Sequence, residues 1–386
     1  MKGSFDSEIR ITSKFTVAED QRIRAAAGVL VLVVTGGTER QVRHILNFRK
    51  PAIIVAHQSM NSMPAALEAL SSIQEGNRPE LLVAKTDMER ERVRQFARAA
   101  KVFERIRNYR LGLIGGPSPS LTYSLPNRRE LSRRLGIGLI LIPMNELRSA
   151  YESASETLVA QLATEAQSKD NSPDQRRFRD FKRSSAIYVA IRKLAKTHNL
   201  SAVSLRCFDL ITDYAATGCL AVAKLNDENF VAGCEGDIPA ATAMIILSEV
   251  SESPTFLANV SFVEGHSIVL THCTVAPRLT QEYRYHSHFE SGLGIAIGGV
   301  LKVGERVTVL RLSNTLDRLR AGLGTVMRRE AWSERLCRTQ VEIKMDDDAE
   351  LIKNNPLGNH HVLTYGEHLE PLESLAGFAG MKFEQI

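Results

Sequence analysis

Residues 28–46 read GVLVLVVTGGTERQVRHIL. The run Val29–Val34 is apolar without interruption and rich in β-branched valine. It is too short for a buried helix and has the composition of a strand covered on both faces. Two glycines follow, and from Thr38 the apolar residues recur at helical spacing, so the stretch reads strand, turn, helix. The same unit recurs downstream. PAIIVAHQSMNSMPAALEAL (51–70) gives a strand to Ala56 and a helix from about Pro64. ELLVAKTDMERERVRQFARAA (80–100) repeats it, RLGLIGGPSPSL (110–121) supplies a fourth strand, and GIGLILIPMNELRSAYESA (136–154) a fifth with its helix. Short buried strands alternating with amphipathic helices predict a parallel, doubly wound sheet. Ligands of such sheets bind beyond the carboxyl ends of the strands, where the loops Gly36–Thr38, His57–Ser62 and Gly115–Ser118 lie.

A polar stretch, AQSKDNSPDQRR (166–177), reads as a loop or linker. A second α/β unit follows, with a helix over Phe178–Thr197, a strand over Ala202–Arg206, a helix near Cys219, and then CEGD (234–237) opening another apolar helix. After about Gly265 the texture changes. SIVLTHCTV, GIAIGGVLKVGERVTVLRL, CRTQVEIKM and HHVLTYGEH are short strands with glycine or charged turns, the pattern of an antiparallel barrel or sandwich. The expected fold class is α/β, with two doubly wound parallel-sheet domains, residues 1–147 and 148–264, and a C-terminal β-rich, barrel-like domain, residues 265–386.

Composition bounds the function. The chain has 386 residues, 44% hydrophobic and 24% charged, with a net charge of +5. The basic clusters Arg90–Arg98 and Arg176–Arg192 are interspersed with acids and read as solvated helix faces, so no nucleic-acid partner is expected. No apolar run approaches the roughly 20 residues of a membrane helix, so no membrane partner is expected. Five cysteines without a CxxC argue for free thiols, and with no apolar leader at the N-terminus the expected location is the cytoplasm. GxGxxG, Walker, GxSxG and HExxH motifs are absent.

Dispersed acids and histidines remain. Asp237 stands where a helix cap belongs, before Pro239 in the first turn. Capping does not require Glu235, two residues earlier behind a glycine, so Glu235 is read as a chemical group. His272 interrupts the apolar strand IVLTHCTV. In RYHSHFESG, an extended chain would put His286, His288 and Glu290 on one side, as a ligand face for a divalent metal or as a polar loop entering a strand. His360 and His361 open a strand and project oppositely.

These segments, taken together, resemble the L-fucose isomerase/L-arabinose isomerase superfamily, in its short fucose-isomerase-like branch. The resemblance is carried by AHQSMNSMPAALEAL, LGLIGGPSPSLTYS, CFDLITDYAATGCLAVAKLNDENFVAGCEGDIPAA, LANVSF, LTHCTV, HFESGLGIAIGG, CRTQVEI and LGNHHVLTYGEH. It implies an aldose–ketose isomerase working through an enediolate with a divalent metal, usually manganese. Glu235, His272 and His360 match ligand positions, Glu235 also an acid/base. A second acidic ligand of the family falls at Asn259, or its neighbour Ala258, where this chain has no carboxylate. Asp237 or Glu290 is then the candidate for the vacant base role. His57, Asn61 and His288 are the candidate substrate contacts. The resemblance further implies a sugar or sugar phosphate as substrate and a homotrimer or homohexamer in which His57 reaches a neighbour's metal. A lyase or epimerase on the same fold, or a non-catalytic sugar-binding protein, are the alternatives.

Overall fold

The computed structural model describes residues 14–73, 79–84, 87–125, 127–170, 175–327 and 333–386. They fall into two compact units, one of residues 1–105 with 370–382, the other of residues 106–369 with 383–386.

The first unit holds a three-stranded parallel sheet, β1 (Val29–Val33), β2 (Ala52–Ala56) and β3 (Glu80–Val83), in that spatial order. Strand alternation sends Ile54 to one face and Ile53 to the other, and both are fully buried. Ile54 packs with Val31, Val42 and Ala65 beneath the helices Glu39–Leu46 and Ser62–Ser71. Ile53 meets Val93 and Phe96 of the helix Asp87–Ile106. Coverage of both faces is why the central strand β2 carries no polar alternation, whereas Leu32 of the edge strand β1 is 58% exposed.

The second unit opens with a four-stranded parallel sheet made of β4 (Arg110–Ile114), β5 (Gly138–Ile142), β6 (Ala202–Leu205) and β7 (Val231–Cys234), ordered β5-β4-β6-β7. Although β4 and β5 follow β3 in sequence, they pair with each other, and β4 carries the sheet on into β6, with Leu111 opposite Ala202.

The remaining strands are β8 (Phe256–Glu264), β9 (Ser267–His272), β10 (Thr280–His286), β11 (Ala296–Leu301), β12 (Arg306–Leu312), β13 (Arg318–Met327), β14 (Thr339–Met345), β15 (His361–Tyr365) and β16 (Lys382–Gln385). Six of them close a barrel-like antiparallel sheet in the order β12-β15-β8-β9-β14-β13, because β13 also pairs with β12. β10 and β11 form a separate hairpin. The inward face of the barrel carries Phe256, Ile268, Leu270, Val309, Val341 and Ile343. The fold is thus mixed α/β with parallel sheets and a C-terminal barrel, as expected from the alternation of textures along the chain.

One helix joins these layers. Ile238–Ser251 is buried around nearly its whole circumference, the signature of a helix enclosed on all sides. It packs against β6 and β7 of the parallel sheet and against β8, β12 and β15 of the barrel. Its N-terminus therefore lies where the end of β7 meets the barrel strands. Among the described residues no helix is long and apolar enough to cross a membrane.

Candidate metal centre

The chain leaves β7 through a strained turn. Glu235 has φ +62° and Gly236 has φ +69°. A non-glycine residue in this left-handed region is uncommon and marks a turn that its surroundings hold in place. Here the Ser118 N–H donates to the Glu235 carbonyl at 2.7 Å. A Cβ on Gly236 would lie 2.3 Å from the Gly116 carbonyl oxygen and 2.7 Å from the Pro117 Cα. The GGPS loop after β4 is thus pressed against the CEGD turn after β7. Gly236→Ala should destabilise the protein by at least about 1–3 kcal/mol through backbone overlap and left-handed strain. Urea unfolding measures this, and a stability equal to that of the parent would show that the loops do not meet so closely.

The turn delivers Glu235 to two histidines. Glu235, His272 and His360 each offer a ligand atom, and these atoms all lie within 4.8 Å of one another. His272 ends β9, and His360 immediately precedes β15. The His360 Nε2 lies 3.5 Å from a Glu235 oxygen. On its other side, His360 Nδ1 is 2.9 Å from an Asp237 oxygen, so the carboxylate accepts the Nδ1 proton and turns Nε2 toward Glu235. His360 Nε2 is buried and makes no hydrogen bond. His272 Nδ1 is tied to the Thr274 hydroxyl at 2.9 Å, which leaves Nε2 as its remaining ligand atom.

The carboxylates of Asp237 and Glu235 flank His360 and draw positive charge to it, so a metal ion would bind there in place of its Nε2 proton. Burial pushes His272 down to about 3, aided by the neighbouring His360 charge, so it is neutral and able to ligate. Burial works against the His360 cation too, but the carboxylates of Asp237 and Glu235 outweigh it and raise the imidazole to about 9. For Glu235, burial favours the protonated acid, yet His360 and His272 hold it below the usual carboxylate range. Two imidazoles and one carboxylate, with an orphaned buried nitrogen aimed among them, fit a divalent cation.

Asp237 lies behind this set, fully buried. Its carboxylate caps the helix through the Ala240 N–H at 2.8 Å, accepts from His360, and faces the Arg311 guanidinium at 3.1 Å. These partners hold it at about 2 despite the opposing effect of burial. Arg311 has no exposed side-chain surface; it also donates to the Leu357 carbonyl at 3.0 Å and to the Ser124 hydroxyl at 2.6 Å. Nothing in TVLRL marks this arginine as anything but one polar residue of a strand, and its partner lies 74 residues earlier.

The other candidates fall into three groups. Asn259 is opposite Thr271 in the β8–β9 ladder, so it shares a sheet face with Thr271 and not with His272. Its amide oxygen accepts from Asn359 Nδ2; Ala258 is the residue paired with His361. His288 and Glu290 lie beyond the end of β10 in a turn closed by bonds between His288 and Leu293 and between Gly292 and His288. The chain is therefore not extended through HSHFE, and His286, His288 and Glu290 do not form one strand face. Gly292 and Gly294, both at positive φ, are the sequence signal for that turn. Both side chains nevertheless feel the centre. Burial, then Arg338, lowers His288 while Glu235 raises it, and Glu290 is raised by partial desolvation and by the Glu235 charge. His57 and Asn61 belong to the first unit. There His57 Nε2 donates to the Val34 carbonyl at 2.9 Å, and Asn61 has φ +55° at the start of a helix.

No family model matches the chain. The chain is similar to proteins named sulfoquinovose isomerase from Priestia aryabhattai and Priestia megaterium (strain ATCC 12872 / QMB1551), 24% identical to each over 302 residues, or 74% of this chain and 66% of each relative. It thus spans just under two thirds of the length of those curated relatives. A third, from Clostridium sp. (strain MSTE9), is 23% identical over 370 residues, covering 89% of this chain and 82% of that protein. The similarity is therefore to sugar isomerases.

Proposed function

We propose that the chain is a metal-dependent aldose–ketose isomerase of the L-fucose/L-arabinose isomerase type, with manganese as its ion. The observation that carries this reading is the convergence of Glu235, His272 and His360, three residues far apart in sequence, on one point. The substrate class is a sugar bearing a free carbonyl carbon. Sulfoquinovose, the sugar in the relatives' name, is the first to test, followed by sugar phosphates.

A divalent ion held by these three residues would polarise the substrate carbonyl and stabilise the negative charge that develops as the adjacent C–H bond breaks toward an enediolate. The residues of the chain do the rest. A base must take the proton from the carbon beside the carbonyl and return one to the neighbouring carbon. Glu290 suits this task. It is exposed in its turn, it lies within reach of the Glu235 charge, and its carboxyl is raised toward the range useful in proton transfer. Asp237 has its oxygens committed to His360, Arg311 and Ala240, and acts by orienting His360. Asn259 supports the Asn359–His360 segment from the neighbouring strand. His288, beside Glu290, is the candidate contact to the substrate hydroxyls. The resemblance extends to assembly as a trimer or hexamer, with His57 and Asn61 serving the centre of a neighbouring copy.

Glu290→Gln separates base from ligand. It should lower kcat by roughly 10²–10⁴-fold, the usual contribution of a positioned general base, while manganese affinity stays at the parent value. An unchanged kcat would move the base elsewhere.

A further inference from the structure

The four-stranded parallel sheet reverses direction between β4 and β6. After β4 the chain crosses to β5 on one side, and after β6 it crosses to β7 on the other. The two strands end side by side, where the Arg206 N–H donates to the Ile114 carbonyl at 2.9 Å. In open parallel sheets a crevice for ligands lies at this switch point, beyond the carboxyl ends of the strands. Here it is flanked by the GGPS loop that follows β4 and by Arg206, the residue after β6. Glu235 follows the next strand, β7, and the GGPS loop reaches its carbonyl through the Ser118 N–H.

Arg206 is oriented but only half used. Its Nε and Nη2 both donate to Asp209 Oδ2, at 3.0 and 2.5 Å. A guanidinium carries its donors in a rigid planar fork, so this pairing occupies one edge and leaves the Nη1 edge without an acceptor among the described residues. Nη1 lies beside Gly116. A Cβ built on that glycine would be 3.9 Å from Nη1, with no other described atom within 4 Å, so the space there is open. The Gly116 N–H also meets no backbone acceptor among the described residues. In the same loop, Ser118 is 2% exposed and its hydroxyl has no partner. Buried polar groups left unpaired are few in folded proteins, and a bound water or ligand is a common reason for them. On the other flank, the Phe208 ring meets His288 edge-on, with centroids 5.9 Å apart. The walls of the crevice thus run on to Glu235 through Ser118 and to His288 through Phe208.

We propose that Arg206, with the backbone at Gly116, holds an anionic tail on the sugar carbon farthest from the carbonyl, and that this tail is a sulfonate in preference to a phosphate ester. The assignment rests on the isomerase reading, which puts the carbonyl end at the triad and the hydroxyls beside His288. The free guanidinium edge matches two oxygens of a tetrahedral oxyanion. Asp209 sets the preference. Together Arg206 and Asp209 are neutral, so they offer directed donors without net positive charge. A sulfonate brings three acceptor oxygens and one negative charge. A phosphate monoester carries about −1.5 to −2 charges at pH 7, and the Asp209 carboxylate repels it more strongly. A sugar with a neutral tail leaves the edge in water and gains nothing from it.

The test is titration calorimetry of the whole chain with sulfoquinovose, glucose and glucose 6-phosphate at near-neutral pH and fixed ionic strength. The parent should bind sulfoquinovose about 10–100-fold more tightly than glucose, the range expected of hydrogen bonds to a charged group, with glucose 6-phosphate between them. The double variant Arg206→Gln/Asp209→Asn should bind all three as the parent binds glucose; Arg206→Gln alone would leave an unpaired carboxylate that repels either anion. Asp209→Asn alone makes the pair net positive and should reverse the order, with phosphate above sulfonate. That reversal keeps Arg206 in place, so it checks the proposal even if the double variant fails to fold. A parent that binds sulfoquinovose no better than glucose, a parent that prefers glucose 6-phosphate, or a double variant that still discriminates would overturn the proposal. The titrations read binding and need no turnover. A protein that selects the sulfonate through Arg206 yet forms no ketose would sink the isomerase reading and leave the tail site standing.

Discussion

Glu235→Gln should weaken manganese binding by more than about 100-fold and abolish turnover while the protein stays folded. Glu235 supplies the only negative charge among the three converging ligand residues. Losing a residue that merely supports a ligand typically lowers metal affinity by about 10–100-fold, and losing the charged ligand itself exceeds that. Glutamine keeps the size of the side chain, and its backbone can occupy the same left-handed turn, so the change isolates charge from shape. The neighbours react as well: without the carboxylate, His360 keeps only Asp237 as an anionic partner. Titration calorimetry with manganese, alongside circular dichroism, separates lost binding from lost fold. A Glu235→Gln protein that binds manganese as tightly as the parent would remove Glu235 from the centre.

The second large effect concerns stability. Arg311→Met should destabilise the protein by about 3–5 kcal/mol, because it strips a fully buried carboxylate of its cationic partner. Methionine fills much of the same volume with no charge, so a cavity is not the source of the loss. Asp237→Asn should fall in the same range for the converse reason, leaving a buried guanidinium uncompensated. The asparagine can still cap the helix and accept from His360, so its metal affinity should suffer less than its stability. Urea unfolding of each variant gives the comparison. Losses below about 1 kcal/mol in both would mean that water reaches the pair, as happens for surface ion pairs.

Much of this arrangement is legible in the sequence where the pattern is local. The VLVLV strand and its repeats show themselves as short apolar runs between amphipathic helices, and the Asp237 cap because an acid, then proline, precede an apolar helix. Glu235 stands out because capping does not account for it. What is not legible depends on contacts distant in sequence. The strand RVTVLRL gives no sign that it pairs with both β13 and β15 and so closes the barrel. Nor does it show that its arginine, two residues after the core residue Val309, reaches Asp237 at the barrel's end. The pairing of β4 with β6 is equally hidden, since any two buried parallel strands look alike. The HSHFE segment shows the opposite failure: its alternation suggests a strand, but Gly292 and Gly294 at positive φ fold it into a turn.

An isomerase at this centre moves a proton between adjacent carbons of a sugar. The direct measurement is proton NMR of sulfoquinovose, and of a set of aldoses and sugar phosphates, incubated with the manganese-loaded protein in heavy water. Because Glu290 is exposed to solvent, its proton should exchange before it is returned. The expected product is therefore a ketose carrying deuterium at C1, formed with the parent protein and not with Glu235→Gln. Deuterium at C2 of an aldose that is recovered inverted, with no ketose, would instead indicate an epimerase. No deuterium in any sugar, from a protein shown to hold its metal, would contradict the claim.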